Sequence, residues 1–399
     1  MISVEEADKI ILKTVKNTAN TEGVSLLNSI GRILGEDIIA DRDFPPFDRV
    51  TMDGIAFNFT SYKAGQRRFF MENMQAAGEK QLTLIDATHC IEIMTGAVMP
   101  LNCDTVVRYE DLKIDNGFAE IQIENVGFQQ NTHKKGRDRQ IGDVLIPKGK
   151  LLSAAEIGTA ATVGKSILKV IKLPKVAIIS TGNELVEINE TPEAHQIRRS
   201  NVYSIAALLN HKFKINAHLF HFNDNEIDIT EGLKNILLKH DLVILSGAVS
   251  EGKFDFVPKA LELNNVKCLF HKVTQRPGKP FWFGQQSNKA VVFGLPGNPV
   301  STFMCACRYV LPWINAYLMQ KPTDYSYAML AEDVYFKPDL TYFLQVKLDN
   351  NKGILMAHPV AGGGSGDLAN LNDADGFLEL PINKSQFFKG EIFKFIGFR

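Results

Sequence analysis

The chain has 399 residues, of which 45% are hydrophobic and 22% charged, and a formal net charge of −1. That length suggests about two to four domains, and the composition is that of a globular protein without the basic excess of a nucleic-acid binder. No apolar run reaches the roughly 20 residues needed to span a bilayer, "MISVEEADKI" lacks the features of a signal peptide, and the five cysteines (Cys90, Cys103, Cys268, Cys305 and Cys307) form no C-x-x-C pair. We therefore expect a cytoplasmic protein, no membrane or nucleic-acid partner, and reduced thiols that are buried or incidental.

Ser3 and Glu6 have capping-box spacing, and Val4, Ala7, Ile11 and Val15 recur at helical spacing, which predicts an opening amphipathic helix. From about 60 to 148, alternating stretches such as "FAEIQIENV" are broken by glycine, asparagine and proline and predict a small β-rich domain. A helix is expected from Ser153 to about Thr162. From Pro174 the apolar runs "KVAIIST", "DLVILSG" and "AVVFG" alternate with helical patterns at 201–210, 226–239, 255–264 and 299–318. Such alternation implies a largely parallel sheet covered on both faces. The tail from about 325 returns to alternation, as in "YFLQVKLDNN", and predicts a small β-barrel or sheet. The expected fold class is multidomain α/β and β: a three-layer α/β domain (174–322), a β-rich N-terminal domain (44–140), a C-terminal β-barrel-like domain (323–399), and a helical linking domain from 1–43 and 141–173.

Open α/β sheets bind ligands at the carboxyl ends of their strands. Those ends here carry Thr181-Gly182-Asn183-Glu184, Asn223-Asp224, Gly247 to Gly252 followed by Asp255, and Gly294-Leu295-Pro296-Gly297. Glycine turns bring backbone donors close to phosphate, and carboxylates hold Mg²⁺ beside it. The joint placement of Glu184, Asp224 and Asp255 with two glycine-rich turns points to a phosphate-and-metal site. In "VVFGLPGNPVSTF" (291–303), Pro299 suits the first helical position, with Ser301 in the first turn, so the backbone N–H groups of that turn are candidate anion donors. "TQRPGKPFWFG" (274–284), with Lys272 just before it, sets Arg276 and Lys279 around a Pro-Gly turn suited to an oxyanion. Phe281 and Trp282 read as core. "GTAATVGKS" (158–166) is not a P-loop, because five residues separate its glycines where four are required. No G-x-G-x-x-G follows a strand, and no histidine pair has zinc spacing.

Taken in order, "FPPFDRVTMDGIAF", "IMTGAVMPLNCDTVVRYED", "ISTGNEL", "IRRSNVYSIAALL", "SGAVSEGKFDFV", "RPGKPFWFG", "GLPGNPVS" and "GGGSGDLANLNDADGFLELP" resemble the molybdopterin molybdenumtransferase family, MoeA and the E domain of gephyrin, from residue 44 to about 381. The resemblance implies insertion of molybdenum from molybdate into adenylylated molybdopterin, assisted by Mg²⁺, with release of AMP. It also implies a molybdopterin-binding role for the α/β domain, a dimerisation role for the linking domain, an elongated homodimer with a cleft shared between subunits, and contact with a molybdopterin adenylyltransferase. By the same resemblance Asp53 and Thr95 belong to one catalytic segment. Glu184, Asp224 and Asp255 are the catalytic and metal-holding acids. Substrate contacts fall to Ser180, Thr181, Gly182, Ser246, Gly247, Ser250, Gly252, Gly294, Pro296, Gly297, Asn298 and Ser301, to the cations Lys272, Arg276 and Lys279, and to Ser365 in the C-terminal glycine loop.

The chain departs from the family pattern at several positions. Arg276 replaces the first lysine of "KPGKP", "GAVSEG" replaces "GGVSVG", Gln345 stands where the family has an arginine, and Arg137 where it has a glutamate. Two other readings stand beside the transferase: a gephyrin-like scaffold that has lost the chemistry, and the adenylyltransferase of the preceding step, which would not need the N- and C-terminal regions present here.

Overall fold

The computed structural model describes residues 1–16, 20–247, 256–287, 289–318 and 325–399. The chain divides into two compact units. One is Met1–Gly35 with Gly149–Ser153 and Leu168–Arg399; the other is Glu36–Lys148 with Ala154–Ile167.

The smaller unit is built on a six-stranded sheet in the order Thr105–Arg108, Gly54–Phe57, His89–Ile93, Arg68–Gln75, Phe118–Ile121 and Leu112–Asp115. Ile55, Phe57, Phe69, Cys90 and Val107 are buried in its core, where the rings of Phe57 and Phe69 lie 5.0 Å apart. The expected helix of this unit runs over Ala154–Thr162.

The larger unit opens with the helix Val4–Lys13. Its capping box forms as the spacing predicts: Glu6 N–H donates to Ser3 Oγ at 3.1 Å and Ser3 N–H to Glu6 Oε2 at 2.9 Å. Val4, Ala7 and Ile11 are buried in the same core as Trp313. The second sheet has the order His218–Phe222, Val176–Thr181, Leu242–Ser246, Val291–Leu295, Trp282–Gln286 and Val266–His271. Its first four strands are parallel and its last two antiparallel. Along Val176–Thr181 every residue is buried, and alternate ones serve opposite faces. Val176 and Ile178 pack with the helices containing Val202, Ile205, Val300 and Met304, whereas Ala177 and Ile179 pack with those containing Ile229, Leu233 and Leu261. Phe281 is 0% and Trp282 4% exposed, as expected for core residues.

The pattern read as one helix over 299–318 is interrupted. It consists of Pro299–Cys305, a π-helical segment Ala306–Val310, and Leu311–Tyr317. Pro312 has no N–H to offer the carbonyl four residues earlier, at Arg308, so the ladder loosens there.

The C-terminal region closes into a five-stranded β-barrel. Thr341–Asn351 pairs with Ile354–Pro359, that strand with Ser326–Leu330, then Ile392–Gly397, then Gly376–Leu380, which returns to Thr341–Asn351. Leu330, Val346, Leu378 and Leu380 are 0% exposed in its interior. The short strand Gln275–Arg276 adds in parallel to Thr341–Asn351, with Gln275 opposite Thr341 and Arg276 opposite Tyr342. A loop of the α/β sheet is thereby bound to the barrel wall.

Candidate functional site

The α/β sheet places Val176–Thr181 between His218–Phe222 on one side and Leu242–Ser246 on the other. Here the chain's connections diverge, and a crevice opens beyond the carboxyl ends. Thr181, Gly182, Ser246 and Gly247 stand at that crevice. Gly182 has φ +132, and a Cβ there would fall 2.4 and 2.6 Å from the carboxylate oxygens of Glu184. Only glycine lets the Glu184 carboxylate fold back over the turn. The neighbouring loop is stapled to it: Asp224 N–H donates to Asn183 Oδ1 at 3.0 Å, and Asn183 N–H to Asp224 Oδ2 at 3.4 Å. Glu184 and Asp224 thus share one strand-end loop pair. Ser250, Gly252 and Asp255, expected at the same rim, lie outside the described residues.

Asn201, in the first turn of the helix Ser200–Phe213, joins the site only through the tertiary structure. Its Nδ2 donates to Ser246 Oγ at 2.9 Å and to the Gly297 carbonyl at 2.8 Å. This draws the last glycine turn onto the rim, where a Cβ on Gly297 would lie 3.8 Å from Gly247 Cα. Asn201 Oδ1 and Thr181 Oγ1 are buried without a hydrogen-bond partner among the described residues. Buried polar atoms are normally paired, so these two are groups that a ligand can satisfy. The only sequence signal for Asn201 was a polar residue opening a helix. Ser180 is nearly buried, its hydroxyl 3.1 Å from His221 Nδ1. Gly294 lies within its strand, opposite Trp282, rather than in the turn.

Gly297 also lines a cavity of about 500 Å³ between the sheet and the barrel. Arg276, Lys279, Asn298, Ser301 and Ser365 face it, with Tyr342, Leu344 and Gln345 from the barrel wall. Asn298 precedes the helix Pro299–Cys305, in which Pro299 takes the first position as expected. The first turn is not left wholly open: Val300 N–H donates to the Ser365 carbonyl at 3.1 Å. Lys272 is not among the residues facing the cavity; its backbone bonds Ile2 and Phe281 at the base of the same hairpin. Gln345, at the position of the family's arginine, accepts from Asn370 Nδ2 at 3.2 Å.

Asp53 and Thr95 meet in the smaller unit, where the Thr95 N–H donates to Asp53 Oδ1 at 2.5 Å. That bond, with a second from the Thr95 hydroxyl, holds the Asp53 carboxyl below the usual carboxylate range. The thiols are poor nucleophiles, because burial pushes Cys90 and Cys307 up to about 12. Among the described residues no group of three His, Cys, Asp or Glu side chains is arranged to hold a metal. No helix of the described residues is long and apolar enough to cross a membrane.

Comparison with known proteins matches the whole architecture. Residues 2–164 match the MoeA N-terminal region (domain I and II), residues 177–316 a probable molybdopterin binding domain, and residues 327–398 the MoeA C-terminal region (domain IV). The chain is 39% identical to a molybdopterin molybdenumtransferase of Synechocystis sp. over 99% of both chains. It is 32% identical to one of Bacillus subtilis over 95% of this chain and 90% of that protein. A crystal structure of a molybdopterin biosynthesis MoeA protein from Pyrococcus horikoshii superposes with a TM-score of 0.85 at 29% identity, covering 100% of this chain and 99% of that one.

Proposed function

The chain belongs to the MoeA family of molybdopterin molybdenumtransferases, enzymes of molybdenum cofactor biosynthesis, and from that premise we propose that it inserts molybdenum from molybdate into adenylylated molybdopterin and releases AMP. The observation that carries this reading is the position of Gly297, which belongs both to the glycine rim and to the cavity facing Arg276 and Lys279. A substrate whose phosphates lie on the rim brings its dithiolene end toward a pocket that attracts an oxyanion.

Each group then has a task. The Thr181-Gly182 and Ser246-Gly247 turns bind the pterin phosphates. Arg276 and Lys279 draw in molybdate, the arginine offering a planar fork of donors. Asp53, which stays ionised, orients the reactants or moves protons from the dithiolene thiols to the departing oxo groups; two Mo–S bonds form and two oxo groups leave as water, with two further protons drawn from solvent. Holding the dithiolene and oxyanion together makes a two-body encounter local, which for ideal geometry is worth about 7–11 kcal/mol. Mg²⁺ fits the donor set, since it commonly binds one or two carboxylates together with substrate phosphates, and Glu184 and Asp224, joined by Asp255, would hold it. When bound it would neutralise pyrophosphate charge and make AMP a better leaving group. We further propose a homodimer with a shared cleft, and substrate delivery by a molybdopterin adenylyltransferase.

The test is AMP release from adenylylated molybdopterin with and without molybdate, in the presence of Mg²⁺. Release only when molybdate is present supports the transferase. Equal rates in both, with no metal entering the pterin, would make the protein a pyrophosphatase. Arg276→Ala should raise the molybdate requirement strongly and Arg276→Lys only mildly.

A further inference from the structure

The turn that carries Arg276 and Lys279 is held from beneath. Both side chains are exposed, with the Arg276 guanidinium 5.9 Å from the centre of the Phe336 ring, and the backbone that bears them sets where they start. Gln275 is 0% exposed. Its Nε2 donates to the Gly278 carbonyl at 2.9 Å, across the turn, and reaches Cys305 Sγ at 3.5 Å. Its Oε1 accepts the Tyr309 hydroxyl. The fit is close: a Cβ on Gly278 would fall 2.6 Å from Cys305 Sγ and 2.8 Å from Gln275 Nε2.

Tyr309 is itself fixed. It is 1% exposed, its ring centroid lies 4.8 Å from that of Phe281 just past the turn, and it sits in the π-helical segment Ala306–Val310. The preceding residue, Arg308, donates to both carboxylate oxygens of Asp8 at 2.7 and 2.6 Å and to Glu379 at 2.9 Å. These ion pairs tie the segment to the first helix and to the barrel. Gln275 is suited to its place because an amide offers a donor and an acceptor at one end; a glutamate there would turn an acceptor toward the Gly278 carbonyl.

We propose that Gln275 and Tyr309 are positioning residues for the oxyanion step. Gln275 borders the cavity with its side-chain amide engaged by Gly278 and Tyr309, and the two residues hold the Arg276–Lys279 turn in the geometry that receives the oxyanion. Binding geometry set in advance is what a charged clamp requires, since small misplacements of donors weaken capture. This inference rests on the reading that the cavity receives molybdate.

The experiment uses the full-length enzyme and three variants. Gln275→Met keeps the side-chain length and loses the hydrogen bonds to Gly278, Cys305 and Tyr309, Tyr309→Phe loses only the hydroxyl, and Arg276→Ala tests the premise. For each, kcat, the KM for molybdate, the KM for the pterin substrate and the Tm are measured, with molybdate binding followed by calorimetry. Gln275→Met should raise the molybdate KM about tenfold and Tyr309→Phe about threefold, the range expected for lost hydrogen bonds. Turnover at saturating molybdate should stay within about twofold and the pterin KM should not move. A purely structural role would lower the Tm and the active fraction while leaving the molybdate KM at the wild-type value, and that result overturns the proposal. If Gln275→Met does not fold, Tyr309→Phe decides on the same readout. A molybdate KM unchanged in Arg276→Ala removes the premise; one raised there but unchanged in the other two variants removes only the positioning role.

Discussion

The side-chain amide of Asn298 donates to the Ser365 hydroxyl at 2.9 Å, and the Ser365 carbonyl accepts the Val300 N–H at 3.1 Å. These two bonds join the turn after the last parallel strand to the glycine loop of the barrel and close one wall of the cavity. Ser365→Ala removes one bond and leaves the backbone bond, so turnover should fall about three- to tenfold with the Tm unchanged. In a double-mutant cycle with Asn298→Ala, the coupling should be about 0.5–1.5 kcal/mol. Strictly additive losses would show that the pair does not act together.

Thr181 is 6% exposed, and its hydroxyl has no hydrogen-bond partner among the described residues. Replacing such a group by an apolar one of the same shape is nearly neutral or stabilising. Thr181→Val should therefore keep or raise the Tm while raising the KM for the pterin substrate, because the ligand loses the group it would satisfy. A raised Tm with an unchanged KM would remove Thr181 from the site.

Asp53→Asn keeps an oxygen for the Thr95 N–H but removes the charge. Turnover should fall about 10²–10⁴-fold, the range for loss of a proton-transfer group, with unchanged unfolding. Because Asp53 titrates below its ordinary value of 3.8, its ionisation should produce no break in the rate profile above that pH. If the cleft is shared between subunits, mixing Asp53→Asn chains with Asp224→Asn chains should restore part of the activity in heterodimers. No recovery in verified heterodimers would argue for a site within one chain.

His240 supplies a pH-dependent contribution to stability. Its Nδ1–H donates to the Ile236 carbonyl at 2.9 Å, leaving Nε2 to accept from His218 Nδ1 at 2.8 Å. Burial first, then the nearby His218 and Lys175, lower its pKa from 6.5, against the Ile236 carbonyl and Asp241. The unfolded chain takes up this proton more readily than the folded one. The contribution is therefore complete above about 6.5 and is lost as the pH falls toward the folded-state value. The urea midpoint should drop between about pH 8 and pH 5.5, and His240→Gln should flatten that change. A wild-type midpoint that does not move over this interval would sink the idea.

Much of the local structure was legible in the residues. The Ser3 and Glu6 capping box, Pro299 opening a helix, and the continuous apolar run along 176–181 depend on neighbours a few positions apart, so the pattern carries them. The order of glycine turns and acids was enough to identify the family resemblance. The π-helical segment was not legible as such, because a helical period continues across it and only Pro312 marks the break. Asn201 and Tyr309 carry no such signal, because each has the pattern of an ordinary helix residue.

Short-range preferences settled which segments became helices and strands and where the glycine turns would fall, because propensity, capping and periodicity act over a few residues. The tertiary structure decided the rest. Thr341–Asn351 closes the barrel only because it pairs on both edges and also receives Gln275–Arg276. Tyr309 reaches Gln275 across 34 positions, and Asn298 reaches Ser365 across 67. Hydrogen bonds over such separations leave no period in the chain. They exist only once the core has brought the partners together, and on them depends the geometry of the cavity.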